Sequence, residues 1–120
     1  MTVRAVRGAI QLDVDEREHL VSSVVELVTA VLDQNALTPD DVVSVIFTAT
    51  PDITSEFPAL AARETGLGGV PLLCAQELDI GGAMPRVVRL LAHVETDRPR
   101  DQVRHVYLRG ATALRRDLAQ

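Results

Sequence analysis

A chain of 120 residues with a formal charge of −5 and an apolar fraction of 47% has the length of one domain and enough apolar side chains for a single core. Its aromatics are Phe47, Phe57 and Tyr107 and every cation is an arginine, which speaks against a base-stacking platform and against a basic face for polyanions. One cysteine allows no internal disulfide, no charged-then-apolar leader opens the chain and no apolar run reaches bilayer length, so a cytoplasmic protein without membrane or nucleic-acid partners is expected.

Val3 to Leu12 alternates as a strand, with Ala5, Arg7 and Ala9 on one face and Val6, Gly8 and Ile10 on the other. Arg7 on so small a face either leaves room for a bulky group beside the guanidinium or merely sits on a solvated side. Asp15 and Glu18 stand at capping-box spacing. Leu20, Val24, Leu27, Val28, Val31 and Leu32 then recur at helical intervals up to Asn35, while Glu18, Ser22, Ser23, Glu26, Thr29 and Asp33 face outward. Thr38-Pro39-Asp40-Asp41 predicts a single helical turn leading into a strand over Val42 to Ala49. A short helix begins near Pro58, carries Arg63 and stops at Gly66.

Pro71 to Leu78 reads as a strand apolar on both sides, and hence as one buried within a sheet. Gly81-Gly82 marks a turn, and the alternation from Val87 to Glu95 is a further strand. Thr96 to Pro99 turns the chain, Arg100 to Val103 makes a brief helical turn, and His105 to Leu108 forms a last short strand. The tail from Arg109 to Gln120 offers Ala111, Leu114 and Arg115 as contacts. This order predicts an α/β or α+β domain over residues 1–120, a mixed β-sheet covered by one long amphipathic helix.

Chemistry concentrates between Val70 and Val94, where Cys74, Glu77 and Arg89 interrupt two apolar segments. Such side chains cost free energy in an apolar setting unless paired with each other or with a ligand, so the stretch is either a binding site or a structural ion pair. Cys74 and Glu77 have opposite strand parity, and to share one pocket they need the strand to end or bulge between them. Cys74, His19, His93 and His105 fall at no spacing of a metal-ligand motif, and no metal is expected.

Four ordered segments carry a family likeness: VRAVRGAI, FTATPDITSEFPALAARE, CAQELDIGG and DQVRHVYLRGATALRRDL. Together they resemble the AroH-type monofunctional chorismate mutases over nearly the whole chain, with a small gap between Gly66 and Gly69. The resemblance implies a homotrimer with active sites between neighbouring subunits, converting chorismate to prephenate in aromatic amino-acid biosynthesis without cofactor or metal. It also implies roles for individual residues. Arg7 matches a carboxylate-binding arginine, Phe57 and Arg63 match pocket positions of the short helix, and Cys74 and Glu77 match the pair near the substrate's ring hydroxyl. Arg89, twelve residues after Glu77, matches the arginine beside the ether oxygen. Tyr107 matches a carboxylate-contacting phenol, and Leu114 and Arg115 match the tail that closes the site. The sequence departs from the pattern at Leu60, where a lysine is expected, and at Leu73, where a threonine is expected.

The residues suit that reaction. An intramolecular rearrangement needs no nucleophile or proton transfer, only a reactive conformer and donors placed where charge develops. Arg7 and Arg89 are forked donors that do not titrate. Two other readings use the same residues: a trimeric module that binds a small anion without catalysis, and an imine or enamine hydrolase that holds a carboxylate with arginine. Glu77 and Arg89 together favour the mutase.

Overall fold

Alternation decides the sheet. The computed structural model describes residues 1–117 and contains strands β1 (Thr2–Gln11), β2 (Val42–Ala49), β3 (Leu72–Gln76), β4 (Val87–Thr96) and β5 (Val106–Leu108). They form one five-stranded mixed sheet in the order β3-β2-β4-β1-β5. β4 pairs antiparallel with β1 and β2, whereas β2–β3 and β1–β5 are parallel. Val6 and Ile10 of β1, Val45 and Phe47 of β2, and Val88, Leu90 and Val94 of β4 point to one face and make the core. Each such side chain contributes about 1.5–3 kcal/mol when fully buried.

Helix α1 (Arg17–Gln34) lays Leu20, Val24, Leu27, Val28 and Val31 on that face. Gly8 lies under it, and a Cβ there would come within 3.1 Å of Leu90 Cγ and 3.3 Å of Leu27 Cδ1, so a side chain would push both leucines aside by a few tenths of an ångström. One long helix does not cover the sheet alone. α1 packs on β1 and β5, and a second helix, α2 (Pro58–Ala62), packs on β2, β3 and α1. The π turn that follows, Arg63–Leu67, adds Leu67 to Ala61 and Ala62 in the core. The sequence pattern underrates this short element because alanine contributes little apolar area while letting a helix backbone come close. Inside this turn Gly66 sits at φ 91°, a left-handed conformation that glycine adopts without strain.

Three further expectations change. The strand expected over Pro71 to Leu78 is β3, and it is the sheet's edge rather than its interior, with Leu73 60% exposed. Leu73 lies with Ile46 and Leu91 on the exposed part of the sheet face opposite α1. Ser23, placed on the outer face of α1 by its spacing, is buried and accepts a hydrogen bond from Arg109 Nη1 at 3.0 Å. Asp15 does not cap α1, whose N-cap is Glu16 without a side-chain bond. Its carboxylate instead accepts from Thr54 N–H and Oγ1, both at 3.0 Å, and from Ser55 N–H at 3.2 Å.

Asp15 thus ties the start of α1 to the loop before α2. Hydrogen bonds from Ser55 and Thr54 hold its carboxyl below the ordinary 3.8. The stability it adds is therefore complete above that value and is lost as pH falls through the lower native one. Asp15→Ala is expected to cost about 1 kcal/mol at neutral pH, after allowance for solvent around the pair, and to have a smaller effect at acid pH. Urea denaturation of both proteins at two pH values measures the difference.

The predicted turn at Thr38 is a 3-10 turn, Pro39–Asp41, closed by a capping box between Thr38 and Asp41. The turn at Arg100 spans Arg100–Gln102, and the tail begins with a 3-10 turn over Arg109–Ala113. Residues 118–120 of the tail lie outside the described residues. Among the described residues, no helix is long and apolar enough to cross a membrane.

Candidate active site

The odd-numbered residues of β4 and their partners across the sheet face away from α1, and the candidate site is built on that open face. Register aligns Thr48 of β2 with Arg89 of β4, Arg89 with Ala9 of β1, and Ala9 with Tyr107 of β5. Arg7 stands two residues along β1, opposite Leu91. Arg7, Ile46, Thr48, Arg89, Leu91 and Tyr107 accordingly line one cleft of about 290 Å3.

Glu77 enters from the end of β3. The strand stops at Gln76, and the Glu77 amide donates to the Ala49 carbonyl at 2.9 Å. The carboxylate then lies 3.5 Å from Arg89 Nε through Oε1 and accepts the Thr48 hydroxyl through Oε2. The strand therefore ends between Cys74 and Glu77, and within one chain the two line no common pocket. Cys74 pairs with Phe47, packs against the core and lines a separate groove of about 400 Å3 with Ile53, Phe57 and Pro58. Thiol and carboxylate diverge because strand parity holds up to Gln76.

Arg89 is only partly buried as a side chain, but its Nε is shielded from solvent and makes no hydrogen bond to any described residue. The acceptor it faces, Glu77 Oε1, stands 3.5 Å away as an ion-pair partner without hydrogen-bond geometry, which leaves the donor open to a ligand oxygen. Tyr107 is buried at 4% exposure among Ala9, Val87 and Ala111, with Leu114 packed against the same group. Arg115 donates to Asp117 at 2.9 and 3.2 Å. Phe57 is 70% exposed at the N-cap of α2 and Arg63 is exposed at the start of the π turn, neither of them lining the Arg7–Arg89 cleft.

Thr48 and His105 are the side chains that sequence reasoning missed. Thr48 becomes visible only through the β2–β4 register that sets it beside Arg89 and under Glu77. His105 accepts the Arg7 backbone N–H at Nδ1, 2.9 Å away, a contact between residues 98 apart.

An arginine-lined cleft on the bare face of a small mixed sheet, with a carboxylate set against one guanidinium, defines a protein that binds a compact organic anion. The comparisons with known proteins agree on which one. The family model described as chorismate mutase type I matches residues 3–118. The chain is 48% identical to the chorismate mutase AroH of Thermus thermophilus over 117 residues, 97% of this chain and 96% of that protein. It is 39% identical to the chorismate mutase AroH of Bacillus subtilis (strain 168) over 120 residues, covering 99% and 94%. Its fold superposes on a chorismate mutase from Clostridium thermocellum with a TM-score of 0.90 at 35% identity, covering 92% of this chain and 98% of that one. The chain belongs to the chorismate mutase type I family, and its activity is that of this isomerase of aromatic amino-acid biosynthesis.

Proposed function

We propose that the protein rearranges chorismate to prephenate at the Arg7–Arg89 cleft by electrostatic and conformational catalysis, with no covalent intermediate, cofactor or metal. The observation that carries this reading is the unspent Nε–H of Arg89, held beside Glu77 in a cleft that also contains Arg7. In a Claisen rearrangement negative charge grows on the ether oxygen as the C–O bond stretches, and a fixed donor there gains strength in the transition state. Arg7 binds a carboxylate of the dianion, Tyr107 meets the other end of it, and Glu77 takes the ring hydroxyl while balancing the Arg89 charge in the empty cleft.

The active species is a homotrimer of one-domain subunits in the cytoplasm, with each cleft completed by a neighbour. Two observations support this. Val3, Ile46, Leu73 and Leu91 are exposed apolar side chains on the face opposite α1, and contiguous patches of that kind mark association surfaces. Phe57 and Arg63 stand exposed outside the cleft of their own chain, as residues lent to a neighbour would. Leu114 and Arg115 sit beside Tyr107 where the tail can cover the mouth. Leu60 and Leu73, lacking the amine and hydroxyl expected there, bear on substrate affinity and on the hydrogen bonding of the ring hydroxyl and not on the reaction class.

Loss of chorismate absorbance with formation of prephenate tests the activity directly and separates it from a silent anion-binding module. Chelators are expected to leave turnover intact. Cys74→Ser should keep substantial turnover, because Cys74 packs against the core beside Phe47 and no step calls for a thiolate. A complete loss in a folded variant would assign the thiol a larger part.

A further inference from the structure

The parallel ladder between β1 and β5 opens with Gly8 opposite Val106, and the amide just before it, that of Arg7, is bonded by a side chain. Arg7 N–H donates to Nδ1 of His105 at 2.9 Å. We propose that His105 is a positioning residue for Arg7: as a neutral ring it holds the first strand where the Arg7 guanidinium meets the substrate, and protonation at Nδ1 releases that hold. The proposal rests on Arg7 being a carboxylate ligand.

The ring's chemistry makes the contact conditional. Neutral imidazole has one acceptor nitrogen and imidazolium has none, so a bond accepted at Nδ1 exists only in the neutral state. The surroundings favour that state. Arg4 and Arg7 from β1, His93 from β4 and Arg100 from the following turn line a groove of about 510 Å3 together with His105, and no described carboxylate lines it. The Arg115 charge in the tail also acts on the ring, and Asp117, to which Arg115 donates, also feels Arg7. Burial first, then the Arg7 and Arg115 charges, holds the ring below the ordinary 6.5. Arg7 is therefore held in place at neutral pH and let go on the acid side of the usual histidine range. Substrate carboxylates remain ionised throughout that range and contribute no step of their own.

His105→Asn sets an amide oxygen near the place of Nδ1 and does not titrate, whereas His105→Leu removes the acceptor. KM and kcat are measured for the parent and both variants between about pH 5 and 8, together with Arg7→Ala at neutral pH. In the parent, KM should rise about three- to tenfold toward acid pH with kcat little changed. In His105→Asn it should stay flat, and in His105→Leu it should be raised by a similar factor at every pH. The Arg7 amide resonance should move with pH in the parent and stand still in His105→Asn, a readout that holds even if the leucine variant fails to fold. An acid rise of KM that survives in His105→Asn, or an Arg7 amide that ignores pH in the parent, overturns the proposal. If Arg7→Ala leaves KM unchanged, the fault lies instead with Arg7 as a carboxylate ligand. If it raises KM while the His105 variants match the parent at every pH, the positioning role alone is wrong.

Discussion

Replacing Arg89 by alanine is expected to lower kcat on the order of a hundredfold to a thousandfold, with a smaller change in KM. That range is the usual effect of removing one fixed donor from a developing oxyanion. The guanidinium also faces Glu77 at 3.5 Å, so its removal leaves a carboxylate in the cleft with only the Thr48 hydroxyl beside it. Repulsion between that carboxylate and the substrate dianion would deepen the loss. Folding should survive, because the side chains of the pair are 42% and 25% exposed and a pair so placed contributes little to stability. Arg89→Lys should recover only part of the rate, since a point charge on another stem replaces a planar fork whose Nε is the shielded donor. Arg7→Ala, by contrast, should act mainly on KM, because carboxylate binding is nearly the same in ground and transition states. Turnover of Arg89→Ala within a few-fold of the parent would remove Arg89 from the ether oxygen and defeat the mechanism.

Ile46→Asp is expected to yield folded monomers with activity reduced on the order of a hundredfold or more, the loss that follows when positioning groups are displaced from a reacting centre. Ile46 stands between Leu73 on β3 and Leu91 on β4, and Leu91 in turn faces Arg7, so one apolar row crosses the open sheet to the cleft. In a single chain Ile46 is 38% exposed and an aspartate there meets water, leaving the core on the other face untouched. In the proposed trimer the same carboxylate would be buried without a partner, a penalty of several kcal/mol. The clefts would then lose Phe57 and Arg63 of the neighbour. Sedimentation, circular dichroism and the chorismate assay read the three consequences separately. Unchanged sedimentation with full activity would show that this face is not the interface.

Much of the fold was legible because periodicity and turn chemistry are local. The stripe from Leu20 to Leu32 forms the inner face of a helix, and the single helical turn at Pro39–Asp41 appears where the Thr38-Pro39 start signal put it. The alternation on β4 separated Val88, Leu90, Ala92 and Val94 from Arg89 and His93 before any partner strand was known. Asp15 misled for the same local reason. Its spacing to Glu18 suits a cap, but two amides of a distant loop offered the carboxylate more hydrogen bonds than the helix start did.

The sequence by itself determined, through four ordered segments, which family the chain belongs to. Arg7 and Arg89 at alternating strand positions, and Glu77 twelve residues before Arg89, are properties of the chain alone. Tertiary structure decided what those residues meet. The register of β2 on β4 put Thr48 between Arg89 and Glu77, and the end of β3 at Gln76 parted Glu77 from Cys74. The start of β5 gave His105 to the Arg7 amide, and the place of β3 at the sheet edge left Leu73 exposed. None of this has a local signal, because a strand's pattern states which side of the sheet each residue takes but not which neighbour it is given.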